Sequence, residues 1–212
     1  MSKSQSQKLI VTLEHDDEAE DPSEREVDWK IYSFCQRHRH FKHPQDLGLG
    51  PLDRFGEPEI KKIGLRRKLD VGLAFVLSYF EHGNCLWFRK GGSYPAGVEF
   101  QWDGTRVAGL LVWEGKPGDI GAKTYEDRAK DADNFLKDYT AYCNGEVWYF
   151  IVTDAETDEQ IEQGSNYNDV DEMFREISRI VKGREVTFEG EAKDLADYHD
   201  LTQPEPSLTG AT

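Results

Sequence analysis

The chain has 212 residues, of which 37% are hydrophobic, 12% aromatic and 32% charged, and its formal net charge is -15. This length suffices for one domain with a substantial core or two small ones, and the aromatic content excludes a chain that is disordered throughout. No apolar run is long enough to cross a bilayer, and the three cysteines lack the spacing of a zinc ribbon. With its polar N-terminus, the chain is predicted to be cytoplasmic, with free thiols, no cofactor and no membrane contact.

Charge is divided unevenly along the chain. Residues 1–26 sum to -5, residues 27–118 to +4 and residues 119–212 to -14. A charge run is usually a solvated face, but a uniform coat for solubility would not be split in this way. The pattern therefore predicts a basic region in the middle of the chain and an acidic C-terminal half.

The N-terminal part predicts two strands separated by a charged connection. Residues 8–14 and 27–34 are rich in β-branched and aromatic side chains, which is typical of strands. The run HDDEAEDPSERE between them has no apolar periodicity and predicts a loop or a disordered linker.

The run CQRHRHFKHP at 35–44 is the first candidate for chemistry. His38 and His40, together with Cys35, are residue types that suit zinc. The interleaved bases would repel a cation, so we expect a basic surface loop or anion-contacting patch and no metal. These bases are joined by a second group further along the chain, and the basic patch so predicted comprises Arg37, Arg39, Lys42, Arg66, Arg67 and Lys68.

The middle of the chain predicts an irregular connection followed by β structure. Residues 44–64 are rich in glycine and proline, and five bases follow within 61–68. An apolar run predicts a buried strand over 73–80 and a returning strand over 85–89, with a buried helix over 69–80 as the competing interpretation. Two β-rich runs over 98–113 flank Asp103-Gly104, a dipeptide that favours a tight hairpin turn, so this hairpin is predicted to be central.

The C-terminal half predicts two amphipathic helices. One spans about 124–143, with Thr124 and Asp127 as a variant capping box, and the other spans about 169–182. Strands are predicted over 146–154, 160–163 and 184–188. The fold class is therefore α+β, a mainly antiparallel sheet with the central hairpin and both helices packed on it. The predicted division is an N-terminal strand and acidic linker (1–26), one domain (27–189) and a flexible acidic tail (190–212).

Three patches carry a resemblance to a known family. They are Tyr79-Phe80-Glu81-His82-Gly83, Trp102-Asp103-Gly104 followed by Val107 and Gly109, and the helix end, turn and strand over 142–154. Together they resemble a diverse family of uncharacterised small acidic α+β proteins of tailed phages and mobile elements. A Cys-Trp-Gly-Phe-Tyr-Gly stretch often follows the last strand in that family, whereas this chain has Glu-Gln-Gly-Ser-Asn-Tyr at 162–167. The resemblance implies a phage setting and no particular chemistry.

Three functional hypotheses follow from these features. The first is a non-enzymatic phage or mobile-element protein that inhibits a host or defence nucleic-acid-binding protein by imitating DNA. Its partner-binding acidic face comprises Asp127, Asp131, Asp138, Asp169, Glu172 and Glu176. The second is a nucleic-acid-binding accessory protein in which the basic patch contacts phosphates and an exposed Trp87 or Tyr94 stacks on bases. The third is a metal-dependent enzyme using His38, His40 and His82, although no catalytic motif supports it. A charge-complementary homodimer is a further possibility.

Overall fold

The structure, a computed structural model, describes residues 7–25, 28–34, 41–49, 63–91 and 104–199. Over these residues the chain forms eight strands and three α-helices. The strands are β1 (Lys8–His15), β2 (Trp29–Ser33), β3 (Ala74–His82), β4 (Asn84–Arg89), β5 (Gly104–Trp113), β6 (Trp148–Asp154), β7 (Gln160–Tyr167) and β8 (Glu185–Glu189). The helices are α1 (Ile63–Asp70), α2 (Tyr125–Cys143) and α3 (Val170–Val181), with short 3-10 helices at Pro44–Leu47 and Lys193–Tyr198.

The chain divides into two compact units. One is built from two separate segments, 1–19 and 145–212, and is called the split unit here. The other, residues 20–144, is called the inserted unit because it lies between those segments in the sequence. The sequence pattern predicted one domain over 27–189, and it missed this division because pairing between distant strands leaves no local signal.

The split unit is a four-stranded sheet in the order β7-β6-β1-β8, with α3 on one face. β1 is an inner strand, antiparallel to β6 and parallel to β8. Its alternating sequence buries Leu9, Val11 and Leu13 completely on the side that α3 covers. The amphipathic stripe of α3 supplies Met173, Phe174, Ile177 and Val181 to the same core.

The inserted unit is a second four-stranded sheet, in the order β2-β5-β3-β4, and all its strand pairs are antiparallel. α2 contributes Leu136 and Tyr139 to the core on one face, and α1 contributes Leu65 to the core on the other. β5 is buried from Val107 to Trp113 because a core covers each face of the sheet. A strand in this position has few polar side chains, since both of its faces are buried. Gly109 lets β2 approach, since a Cβ there would lie 2.5 Å from the Tyr32 carbonyl oxygen.

The predicted α+β class with mainly antiparallel sheets is confirmed, as are the limits of the two long helices. α2 begins at a capping box of Thr124 and Asp127, and α3 begins after the N-cap Asp169. The arrangement differs from the prediction in that there are two sheets and each carries its own long helix. The first half of the predicted hairpin, 98–103, lies outside the described residues, and the second half is β5, which pairs with β2 and β3.

Two further differences concern segments with little apolar sequence. α1 was not predicted, because Gly64 and a run of bases conceal the pair Leu65 and Leu69 one turn apart. The tail was predicted to be flexible from 190, yet Ala192 is 6% exposed and Leu195 packs on the core of the split unit. Residues 200–212 lie outside the described part. None of the described helices is both long and apolar enough to span a membrane.

Candidate functional site

A cleft of about 400 Å³ lies in the split unit beside the end of β1. Four carboxylates line it, together with polar groups from β6 and β7, and among the described residues no lysine or arginine does. We call it the acidic cleft. Its carboxylates are Glu14, Asp16, Asp17 and Glu18, and its other lining residues are His15, Tyr149, Phe150, Ile151, Gln163, Gly164 and Ser165.

The floor of the acidic cleft is formed by residues of β1, β6 and β7, and the register of these strands brings them together. Glu14 lies opposite Tyr149 across the β1–β6 pair, and Gln163 lies opposite Ile151 across the β6–β7 pair. Directly opposed residues in antiparallel strands project from the same face of the sheet, and this face is the one that α3 does not cover. Gly164 lies opposite Phe150, where a Cβ would come within 2.6 Å of the phenyl ring. A side chain at 164 would therefore displace a core aromatic residue.

The loop after β1 forms the wall of the acidic cleft, and three hydrogen bonds hold it. The Asp16 amide donates to the Val147 carbonyl at 2.8 Å, and the Ala19 amide donates to the Asp16 carbonyl at 3.1 Å. The Asp16 carboxylate accepts from the Asn166 amide at 2.9 Å. This loop is thus tied to both strands at the open end of the β6–β7 hairpin. The run was predicted to be a loop or a disordered linker, and over 16–19 it is a loop.

The carboxylates of the acidic cleft give it negative charge, and this charge acts on Tyr149. Desolvation raises the pKa of the Tyr149 hydroxyl, and the nearby carboxylates of Glu14, Asp16, Asp17 and Glu191 raise it further. The carboxylates repel the negative charge of a phenolate, and they attract a cation. The acidic cleft is therefore suited to ammonium or guanidinium groups.

A second acidic group surrounds Tyr167 at the end of β7. Burial raises the pKa of the Tyr167 hydroxyl, and the carboxylates of Glu176, Glu172 and Glu162 add to the effect. Glu172 and Glu176 lie one turn apart on α3, which packs beside β7, and they belong to the predicted acidic face. Glu176 also pairs with Arg179 at 3.2 Å on the exposed side of the helix. Asp169 has a structural role as well, since its carboxylate accepts from the Glu172 amide at 3.2 Å.

The other half of the predicted acidic face lies in the inserted unit. Asp127 accepts a hydrogen bond from the Thr124 amide and closes the capping box of α2. Asp131 accepts from the indole nitrogen of Trp29 at 2.7 Å, and Asp138 is half-buried. The six residues thus divide into two groups of three on separate compact units, a division that helical spacing alone cannot reveal.

The net charge divides between the units even more sharply. The split unit carries 21 acidic against 7 basic residues, and the inserted unit carries 20 against 19. The net charges are therefore -14 and -1, so almost the entire excess of negative charge belongs to the split unit. The acidic residues of α2 are balanced by bases elsewhere in the inserted unit.

Two of the four described residues of the basic patch are engaged within the protein. Lys42 contacts both carboxylate oxygens of Glu114, at 2.8 and 2.7 Å, and Lys68 donates to the Trp113 carbonyl. Arg66 and Arg67 are exposed on α1, whereas Arg37 and Arg39 lie outside the described residues. Trp87 is 2% exposed in the core of the inserted unit, so the prediction that it stacks on bases is wrong. Tyr94 lies outside the described residues.

The predicted histidine chemistry stays a prediction, because His38 and His40 lie outside the described residues. His82 is exposed at the end of β3. Among the residues that the structure describes, no group of three or more His, Cys, Asp or Glu side chains could hold a metal ion. The four carboxylates of the acidic cleft accordingly do not form such a group.

No protein-family model matches this chain, and no curated protein or solved structure matches it either. The resemblance to small acidic phage proteins therefore stays a prediction. The geometry of the acidic cleft and the division of charge are what bear on function.

Sequence reasoning missed the acidic cleft although its strongest signal is visible in the sequence. Four carboxylates occur within Glu14–Glu18, directly after a strand whose alternation predicts burial. A loop that leaves an inner strand starts beside that strand's neighbours in the sheet. Tyr149 and Gln163 could not be assigned to the same site without the strand order.

Proposed function

We propose that the protein is a non-enzymatic interaction protein whose split unit binds the basic nucleic-acid groove of a host or defence protein, in the setting of a phage or mobile element. The observation that carries the proposal is the net charge of -14 on the split unit against -1 on the inserted unit. A partner that occupies its groove with this unit cannot bind nucleic acid at the same time. The expected effect is inhibition, exerted in the cytoplasm of the bacterial host.

The acidic cleft gives this surface a place for a cationic side chain. Its volume of about 400 Å³ exceeds that of one Lys or Arg side chain, and its lining offers carboxylate, amide and hydroxyl acceptors. A guanidinium group uses such acceptors through several N–H donors at once. We expect an arginine-rich partner surface to place one or more side chains here.

The α3 carboxylates extend the acidic surface with a spacing close to that of nucleic acid. Glu172 and Glu176 are four residues apart, which corresponds to ~6 Å along a helix. Two phosphate steps along one strand of duplex DNA span ~7 Å. A groove that positions Lys and Arg for every second phosphate along one strand therefore matches the spacing of these two carboxylates, and a partner cation at Glu176 would replace Arg179.

The first experiment is competition between the partner and DNA. The full-length protein is immobilised and exposed to nuclease-treated bacterial lysate at about 0.15 M salt, where surface charges are screened beyond ~8 Å. We expect retained proteins to be nucleic-acid-binding proteins that a duplex oligonucleotide displaces. Retention of nothing, or of proteins that DNA leaves in place, would contradict the proposal.

Three double variants with the same change of charge locate the surface. Asp17→Asn with Glu18→Gln alters the acidic cleft, and Glu172→Gln with Glu176→Gln alters α3. The matched control is Asp119→Asn with Glu126→Gln, two exposed residues of the inserted unit. We expect the first two to weaken capture about tenfold or more and the control to retain it. Equally weak capture by all three variants would show that the partner is attracted by the net charge of the protein and not by a particular surface.

The same reagents test the alternative of a nucleic-acid-binding accessory protein. Direct retention of labelled duplex DNA by the purified protein at about 0.15 M salt, lost in Arg66→Ala with Arg67→Ala, would favour the basic patch. The net charge of -1 on the inserted unit, with Lys42 and Lys68 engaged internally, argues against this outcome.

A further inference from the structure

Two cysteines of the inserted unit lie side by side although 58 positions separate them in the sequence. Cys85 is in β4 and 5% exposed, and Cys143 is the last residue of α2 and half-buried. Both belong to the core that α2 forms with the sheet. No disulfide joins Cys85 to Cys143 in this structure.

Asn144 fixes the backbone that brings the two cysteines together. Its side-chain oxygen accepts from the Cys85 amide at 2.8 Å, and its side-chain nitrogen donates to the Cys85 carbonyl at 3.1 Å. Because Asn144 directly follows Cys143, this paired contact holds the end of α2 against β4. Thr140 reinforces it one turn earlier, since its hydroxyl accepts from the Trp87 amide at 3.1 Å.

The thiols themselves are hydrogen-bonded. The bond to the Cys85 sulfur and burial raise the pKa of the Cys143 thiol, against the opposing effect of a bond from the Tyr139 hydroxyl. Thiolate is the reactive form of cysteine, so this environment makes Cys143 slow to react. An oxidant small enough to enter a half-buried site is required.

We propose that Cys85 and Cys143 are an oxidation site at which a hydroperoxide forms a disulfide between β4 and the end of α2. The core that both cysteines share and the paired hydrogen bonds from Asn144, the neighbour of Cys143, to the Cys85 backbone carry this inference. It is independent of the proposed function, because both cysteines lie in the inserted unit and outside the acidic cleft.

The chemistry balances with one hydroperoxide per disulfide. The Cys143 thiol, the more exposed of the two, loses its proton, and the small fraction of thiolate so formed attacks one peroxide oxygen. The O–O bond breaks, and with hydrogen peroxide the leaving oxygen takes up the proton and departs as water. The resulting sulfenic acid meets Cys85, whose sulfur attacks it, so that the S–S bond forms, the S–O bond breaks and a second water leaves. Two thiols are oxidised by two electrons and one peroxide is reduced. The proximity of Cys85 favours this closure over further oxidation to sulfinic acid.

The test maps the thiols of the intact, full-length protein after treatment with hydrogen peroxide. The protein is denatured, its remaining thiols are alkylated, and its peptides are identified by mass spectrometry. We expect a linked peptide pair containing Cys85 and Cys143, two hydrogens lighter than the reduced pair and separated again by dithiothreitol. Linkage through Cys35, two thiols that remain open to alkylation, or sulfinic acid at Cys143 beside a free Cys85 thiol would overturn the proposal.

Two cysteine variants and a stability measurement test the Cys85–Cys143 link in further ways. Cys35→Ser is expected to form the same link, and Cys85→Ser is expected to carry oxidised Cys143 without it. The link closes a long loop, so peroxide is expected to raise the denaturant midpoint of the inserted unit in Cys35→Ser, and dithiothreitol is expected to reverse the shift. An unchanged midpoint in a protein whose peptide map shows the link would exclude any structural consequence.

Discussion

The two compact units differ most in how charge relates to structure. The inserted unit balances 20 acidic residues with 19 basic ones, and several of these meet in ion pairs such as Arg89 with Asp133, at 2.7 Å. The split unit, with 87 residues against 125, carries a net charge of -14 and its cleft is lined by four carboxylates. The difference shows that charge excess follows the folded unit, whereas counting along the sequence assigns part of it to α2.

The units also differ in how the chain builds them. The inserted unit is one continuous segment, whereas the split unit closes only when β6 pairs with β1 across the insertion. The chain leaves and re-enters the split unit at one place, because His15 lies 3.1 Å from the Gly145 carbonyl and Asp16 bonds to Val147. The proposed partner surface and the core of the inserted unit are therefore encoded in different parts of the chain.

Truncation of a core side chain is expected to have the largest effect on stability. It also tests whether the two units unfold separately. Leu136→Ala and Ile177→Ala each remove a side chain that is at most 1% exposed, from the inserted and the split unit respectively. Each is expected to lower the free energy of unfolding by about 2–5 kcal/mol. Hydrogen exchange followed by mass spectrometry is expected to show faster exchange only in peptides of the mutated unit.

The exposed Lys130→Ala serves as the surface control for these variants, with an expected change within about 0.5 kcal/mol. The described cores contain residues of one unit each, which is the basis for expecting a local effect. Faster exchange spread equally over both units in either variant would mean that they unfold as one.

Loss of a helix cap is expected to have the next largest effect on stability. It distinguishes a carboxylate that caps a helix from one that is proposed to contact the partner. Thr124→Ala and Asp169→Ala each leave a helix N-terminus without its side-chain acceptor, on α2 and α3 respectively. We expect a loss of about 1 kcal/mol in each, measured by denaturant unfolding. Asp169→Asn is the informative control, because asparagine caps a helix as well as aspartate but carries no charge. Full stability with weaker capture in this variant would assign Asp169 both roles, and a stability loss equal to that of Asp169→Ala would contradict the cap.

Protonation of Glu114 is expected to give a smaller effect that is confined to the inserted unit. Partial burial acts to raise the pKa of the Glu114 carboxyl, but hydrogen bonds from Lys42 and Tyr32 outweigh it and hold the pKa below its usual value. The stabilisation is therefore present above the pKa of the unfolded chain and is lost as pH falls through the folded value. We expect at most about 1 kcal/mol for this half-exposed group.

Unfolding of the inserted unit between about pH 6 and pH 3 measures this effect, with Glu114→Gln as the comparison. The glutamine variant is expected to lack the corresponding part of the pH dependence. An identical pH profile in both proteins would show that the ion pair with Lys42 contributes nothing measurable.

The sequence was sufficient for elements whose signal is local. N-cap signals at Thr124 and at 168–169, with the apolar stripes behind them, identified both long helices. The β-branched content of 8–14 identified β1, and the apolar run over 73–80 identified β3. It was insufficient where the deciding contact is distant, as in the pairing of β1 with β8 or the placement of Tyr149 opposite Glu14. The candidate site failed to emerge for the same reason, because its wall and its floor come from segments more than a hundred positions apart.

Screening by salt is expected to produce the smallest effect and the sharpest contrast between the units. Like charges in the split unit repel one another, so raising sodium chloride from about 10 mM to about 0.5 M is expected to stabilise it by a few tenths of a kcal/mol or more. The inserted unit gains from attraction in pairs such as Lys42 with Glu114, at 2.7 Å, so the same change is expected to leave it unaltered or slightly weaker.

Hydrogen exchange of peptides from each unit measures both effects in one sample, and sucrose at matched osmolality is the control for general exclusion of solutes. Chloride is the appropriate anion because sulfate and phosphate stabilise folded proteins through that exclusion. Opposite signs would show that the charge difference between the units acts on their stability. Equal shifts in both units would mean that the -14 charge of the split unit is dispersed too widely to cause self-repulsion, and its role in attracting a basic partner would then depend on the acidic cleft and α3 alone.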